Sequence, residues 1–213
     1  MGSEGPTGVE HRSALWSDRI FVQAEGIASV SIQPDHWIRR MALEQGMIDP
    51  FVPEQVREGV ISYGLSSYGY DLRLAREFKV LNSGTELLDP KAIDAGTFVD
   101  VEAETIDVAP GTFVLGRTVE YLRIPSDVLA LCTGKSSYAR CGVLVNVTPF
   151  EPGWEGHVTL CLINVGPRPV RLYAGEGIAQ AIFFRGDQPC ERTYADRTGK
   201  YQALQGVTPA RLG

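Results

Sequence analysis

The chain of 213 residues is poor in histidine, methionine and tryptophan, with 3 of each, and in cysteine, with 4. The cysteines, Cys132, Cys141, Cys161 and Cys190, stand far apart and form no C-x-x-C pair. This excludes the common zinc-cage and thiol-redox signatures, and four dispersed thiols suit a reducing compartment. His11, His36 and His157 are isolated in the sequence and receive no catalytic role. No run of about 18 apolar residues is present, so no membrane-spanning helix is expected. There is no excess of basic residues either: 20 Lys and Arg against 26 Asp and Glu leave a net charge of −6. A duplex nucleic-acid binder needs a basic face, which this balance disfavours, whereas a local basic clamp for a small anion remains compatible with it. The first residues lack the basic-then-apolar order of a secretion signal, and Met1-Gly2 is followed at position six by Pro6 rather than the Ser or Thr that myristoylation favours. A cytoplasmic location is expected.

What is present describes a turn-rich globular chain. Hydrophobic residues make up 44%, and 23 Gly with 13 Pro punctuate the sequence. The length suits one domain, and no repeat or linker divides it. Residues 1–30 are expected to be an N-terminal extension, loose over its first part; residues 15–30 are consistent with either a short helix or a strand. The body is expected to run over 31–213. Within it, residues 34–45 read as a helix: Pro34 suits its first position, Trp37, Ile38, Met41 and Ala42 share a face, and Gly46 ends it. Trp37 is read as core. From Ser67 onward short strands are expected at 69–75, 77–81, 97–101, 112–124, 127–132, 143–148, 157–164, 168–173 and 178–185. That series, broken by Pro, Gly and Asp, predicts a mainly β barrel or sandwich.

Two segments carry polar chemistry. In Gly134-Lys135-Ser136-Ser137-Tyr138-Ala139-Arg140, two cations, two hydroxyls and a run of backbone N–H groups lie close together after a glycine. That set reads as an anion clamp. In Trp154 to Ile163, strand alternation puts Val158, Leu160 and Leu162 on a core face and Thr159, Cys161 and Ile163 on the other. Trp154 reads as packing more than as a stacking platform.

Four motifs in order, GKSSYAR (134–140), EPGWEGHVTL (151–160), GEGIAQ (175–180) and YADRTGKYQ (194–202), resemble the dCTP deaminases, relatives of the trimeric dUTPases. The resemblance covers roughly Ser31 to Thr208. It implies a distorted β-barrel or jelly-roll of the dUTPase type with a few short helices. It also implies a homotrimer whose sites lie between subunits, and a C-terminal tail that closes over the nucleotide. The ligand would be a pyrimidine deoxynucleoside triphosphate, dCTP foremost, with Mg²⁺ carried on its phosphates and no zinc. Lys135, Ser136, Ser137 and Arg140 would contact the phosphates from the neighbouring subunit. Backbone groups around Thr159 and Leu160 would read the base, and Gln180, Tyr194 and Lys200 match the remaining nucleotide contacts. Zinc-based deamination uses an H-x-E and a P-C-x-x-C signature. Here His157 is followed by Val-Thr and Pro189-Cys190 by Glu-Arg-Thr.

The chain departs from the pattern twice. Cys161 stands where the family carries its catalytic glutamate, and a thiol is a poor substitute for a carboxyl that must both take and return a proton. Cys161 reads instead as a small apolar filler, with a thiolate nucleophile as the alternative. The family's tail glutamine, four residues after the lysine of GKY, falls on Leu204, with Gln205 one place later as a candidate substitute. Glu151 precedes Trp154 by three, as an aspartate precedes an aromatic in the dUTPases; it reads as a contact to the deoxyribose hydroxyl or a turn cap, with a carboxylate for phosphoanhydride hydrolysis with Mg²⁺ as the alternative. Asp71 and Arg73, in the segment resembling the superfamily's first motif, are candidates for metal or subunit contacts. Three readings follow: a pyrimidine nucleotide deaminase, a nucleotide pyrophosphohydrolase using Glu151, and a nucleotide-binding protein without chemistry.

Overall fold

The computed structural model describes residues 31–84, 87–94 and 96–211; the expectations for residues 1–30, His11 included, lie outside them. The chain opens with β1 (Ser31–Ile32), α1 (Asp35–Gln45), β2 (Ile48–Asp49) and β3 (Gly64–Ser66). It continues through β4 (Gly69–Leu81), β5 (Phe98–Glu102), β6 (Thr105–Val108), β7 (Phe113–Arg123) and β8 (Val128–Gly134). The short helix α2 (Ser136–Ala139) then leads to β9 (Val143–Asn146), β10 (Glu155–Asn164), β11 (Val170–Tyr173) and β12 (Gly177–Arg185).

α1 forms where expected because Trp37, Ile38, Met41 and Ala42 bury one stripe of it. Pro34 takes the capping position before the helix, in extended backbone, rather than the first helical position. At the other end Gly46, at φ 63°, turns the chain out and donates its N–H to the Ala42 carbonyl.

Among the described residues, ten strands form one sheet along the path β1-β12-β4-β7-β10-β9, with β8 on β12 and β2, β3 and β5 at the flanks; β6 and β11 pair separately. The long β4 joins two halves. Its residues around 70–73 register with β12, while Leu74 to Val80 register with β7. A strand shared this way curls the sheet into a distorted, open barrel around Tyr70, Leu72, Phe78, Leu122, Leu160, Leu162 and Phe183. The two strands expected over 69–75 and 77–81 are therefore one. Arg76 interrupts the apolar alternation and lies where β4 shifts register against β7, but it points outward to Glu104 at 2.6 Å and the strand runs on.

Where β7 bulges against β10 and β4 bulges against β7, two buried side chains replace missing ladder partners. Thr118 Oγ1 accepts the Val158 N–H at 3.0 Å, and the Glu120 carboxylate accepts the Arg73 backbone N–H at 2.9 Å and its Nε–H at 2.7 Å. Burial pushes the Glu120 pKa up, against the pull of Arg73. Arg73, expected in a metal or subunit contact, is thus engaged within the chain.

Candidate functional site

β9 stops at Asn146 while β10 continues to Glu155, which opens a gap beside the outward face of β10. A cleft of about 490 Å³ occupies that gap. Val158, Leu160 and Leu162 point into the core, as alternation predicts, and Thr159 and Cys161 line the cleft floor. Leu115 and Asn146, the cross-strand partners of Cys161 on β7 and β9, complete that floor. Along one wall the Phe150 and Trp154 rings stack at 5.5 Å. Trp154 is buried and its indole N–H donates to the Tyr201 carbonyl at 2.8 Å, which is the packing role read from the sequence.

The chain's own tail roofs the cleft with Tyr194, Tyr201, Leu204 and Thr208. Backbone hydrogen bonds hold it there. Tyr194 N–H donates to Pro152 O at 2.8 Å, Ala203 N–H to Glu155 O at 2.9 Å, and His157 N–H to Leu204 O at 2.9 Å. Gly156 makes this possible: at φ 146°, a Cβ there would sit 2.9 Å from the Leu204 nitrogen.

Along β10, His157 N–H points outward to the tail and Val158 N–H inward to Thr118. The alternation therefore turns the Thr159 backbone outward, between the end of β9 at Asn146 and the tail at Leu204. Its hydroxyl already accepts the Thr208 N–H at 3.1 Å. The cleft thus exposes one backbone donor and one backbone acceptor beside aromatic rings.

Cys161 is half-buried, and burial raises its thiol pKa. It is a protonated thiol, which can neither act as a strong nucleophile nor shuttle a proton as a carboxyl would. Glu151 also lines the cleft, but its carboxylate is ion-paired with Arg197 of the tail.

The structure therefore gathers Glu151, Thr159, Cys161, Tyr194 and Leu204 in one place. Leu160 is fully buried, and it registers with Gly116 of β7. Lys200 lies on the tail's outer side, its Nζ donating to Arg211 O at 2.6 Å, and Gln205 is exposed with its amide turned to Ala203 O. None of Lys135, Ser136, Ser137, Arg140 or Gln180 lines the cleft. They gather where β8 meets β12: Gln180 registers with Thr133, and Lys135 N–H donates to Ile178 O at 3.3 Å. Ser136, Ser137 and Arg140 are exposed there, and Gln180 Nε2–H donates to Ser66 Oγ at 3.1 Å. Lys135 is turned inward, onto Asp71.

Among the lining residues that sequence reading missed are Leu115, Asn146, Tyr201 and Thr208. Tyr201 had a signal, since it sits inside the GKYQ motif. The other three are revealed only by strand pairing and by the path of the tail.

The profile of the dCTP deaminase-like family matches residues 32–186. A dCTP deaminase of Acidobacterium capsulatum is 58% identical over 184 residues, covering 86% of this chain and 100% of that protein. A dCTP deaminase of Herpetosiphon aurantiacus is 57% identical over the same shares. Among solved structures, the 2′-deoxycytidine 5′-triphosphate deaminase of Agrobacterium tumefaciens superposes with a TM-score of 0.55 at 19% identity, over 74% of this chain and 48% of that one. This chain thus spans about half the length of that structure, and the likeness there is one of fold. On the strength of the profile and the curated relatives, the chain belongs to the dCTP deaminase family.

Proposed function

We propose that this protein binds a pyrimidine deoxynucleoside triphosphate, dCTP foremost, and is a slow dCTP deaminase. The observation that carries the reading is the open Thr159 edge inside a cleft walled by aromatic rings. A flat heterocycle fits such a slot, and one donor beside one acceptor suits a pyrimidine edge. In the reaction, water adds at C4, the bond from C4 to the exocyclic nitrogen breaks, and ammonia leaves, so that dCTP and water give dUTP and ammonia. The family's carboxyl is absent, and the Cys161 thiol cannot move the protons, so turnover is low. Tyr194 and Leu204 close the site from the tail, while Ser136, Ser137, Arg140 and Gln180 hold the phosphates. Lys200 and Gln205, on the outer side of the tail, are second candidates for the phosphates. A second reading, nucleotide holding without chemistry, is favoured by Cys161 and Leu204 together.

The clamp and the cleft belong to different copies in this proposal, and the assembly proposed is the homotrimer that the family resemblance implies. Its support is an apolar sheet face. Ile32, Leu129 and Leu131 are 46%, 38% and 41% exposed, and they register with the half-buried Phe184 and Ile182. Gln180 and Thr133 continue that face toward the clamp. A copy that covers the apolar end comes to lie beside Ser136, Ser137 and Arg140. Residues 31–213 form the nucleotide-binding domain with its closing tail, and residues 1–30 are an extension to it.

Mg²⁺ fits as a companion of the phosphates. Glu151 in the cleft and Asp71 behind the clamp are each committed to a cation, Arg197 and Lys135. The phosphate oxygens are left to hold the ion, whose chemistry is to neutralise phosphate charge. The location that fits four free thiols is the cytoplasm. No helix among the described residues is long and apolar enough to cross a membrane.

A product screen with dCTP and Mg²⁺ tests the reading. The expected result is slow, matched release of ammonia and dUTP, and Cys161→Glu raises the rate at least about 100-fold, within the range a positioned acid–base group supplies. Pyrophosphate release would favour chemistry at Glu151. Saturable binding with neither product would favour the second reading.

A further inference from the structure

We infer that Ala203 is a positioning residue of the cleft: held in a left-handed turn, it aims Tyr201 and Leu204 at the ligand, and the strain of that turn keeps the roof easy to release. Its bearing on the ligand rests on the nucleotide reading above. Among the described residues, the non-glycine residues at positive φ are Thr198, at 49°, and Ala203, at 55°, and both lie in the tail. A Cβ makes this backbone region costly, and it is visited routinely only by glycine and, less often, by Asn and Asp. Such strain persists where the surroundings over-determine it, and it collects at sites that hold ligands.

The surroundings of Ala203 fix it from both sides. Before it, Tyr201 O accepts the Trp154 indole N–H at 2.8 Å, and Gln202 Nε2–H donates to Gly153 O at 3.1 Å. At and after it, Ala203 N–H donates to Glu155 O and Leu204 O accepts the His157 N–H, both at 2.9 Å. Four consecutive tail residues are thus tied to the segment 153–157, and Leu204 forms a parallel bridge with Gly156. With its neighbours pinned, residue 203 has to supply the turn between them. Its side chain is exposed, so the methyl group adds no packing that would offset the strained backbone. Tyr201 and Leu204 reach the cleft from the two sides of this turn and leave it together when the turn relaxes. The roof therefore closes against its own backbone preference.

Amide hydrogen exchange on the full, assembled chain tests the turn, and calorimetry with dCTP and Mg²⁺ tests its reach to the ligand. The probe is the His157 amide, which lies on β10, away from the substituted residue, and is covered by the tail. Ala203→Gly, which reaches positive φ freely, is expected to slow its exchange at least about threefold. Ala195→Gly makes the same change at an exposed tail alanine that is not at positive φ, and is expected to give no slowing. Ala203→Val, whose branched side chain resists the turn, is expected to speed the exchange and to weaken dCTP, each at least about threefold. No slowing in Ala203→Gly, or equal slowing in Ala195→Gly, would overturn the strained turn. Unchanged dCTP affinity in Ala203→Val would overturn its role at the ligand. If the unaltered chain shows no saturable binding of dCTP, the nucleotide reading fails and the ligand role with it, while the exchange comparison still decides the turn.

Discussion

In the cleft, positions are set by backbone. The tail is pinned by main-chain bonds from Tyr194, Ala203 and His157, and the Thr159 edge is opened by the early end of β9. At the clamp, positions are set by side-chain charge: a buried acid from β4 holds a lysine from the end of β8. The cleft is apolar and closed by its own chain, whereas the clamp is polar and looks outward beside an uncovered apolar face. The difference teaches that the two halves tolerate change unequally. A backbone-built cleft can carry an uncharged residue such as Cys161 and keep its shape, while a buried ion pair cannot lose either partner quietly.

Three substitutions probe that contrast, the largest effect first. Cys161→Glu restores a carboxyl to a cleft whose frame is intact, so dCTP turnover should rise at least about 100-fold with little change in dCTP affinity. A steady-state ammonia assay reads it, and a folded, dCTP-binding variant with no gain would contradict the assignment of this position. Arg140→Ala removes the clamp's exposed cation and should weaken dCTP by more than about 1.5 kcal/mol, since it deletes a charge-assisted contact. Titration of the variant checks this, and unchanged affinity would place the phosphates elsewhere.

The smallest effect is on stability near the cleft. His157 sits beneath the tail with Nδ1 3.2 Å from the Glu120 carbonyl, edge-on to Tyr121. Burial, helped by Arg117, lowers its pKa. The unfolded chain takes up this proton at about pH 6.5, the folded chain only at lower pH. Between those values the unfolded state binds more protons, so stability rises with pH, and it falls as pH drops through about 6.5. Below the folded pKa the loss levels off. Thermal melts from about pH 7.5 to 5 should show a shallower fall for His157→Gln than for the unaltered chain. Equal falls would show that the ring is not held neutral by burial.

Much of the frame could be read in the sequence. Alternation in 157–164 found the core face of β10, and the apolar stripe with Gly46 found α1. β1, β2, β3 and β6 escaped notice, because two to four residues are too few to show a period. The candidate site was legible as motifs but not as neighbours. Lys135 reads as a phosphate cation beside Ser136 until the fold brings Asp71 to it. Glu151 reads as a free carboxylate until the tail delivers Arg197. Long-range partners chosen by topology leave no local pattern in the chain.

The central claim, that clamp and cleft come from different copies, has a direct test in mixed assemblies. One subunit carries Cys161→Glu with Arg140→Ala, giving a competent cleft and a broken clamp; the other is unaltered, with an intact clamp and Cys161. Each alone should deaminate dCTP slowly, and assemblies reconstituted from both should recover a substantial fraction of the Cys161→Glu rate. A mixture no faster than the sum of its separate parts would contradict a shared site and place clamp and cleft on a single chain.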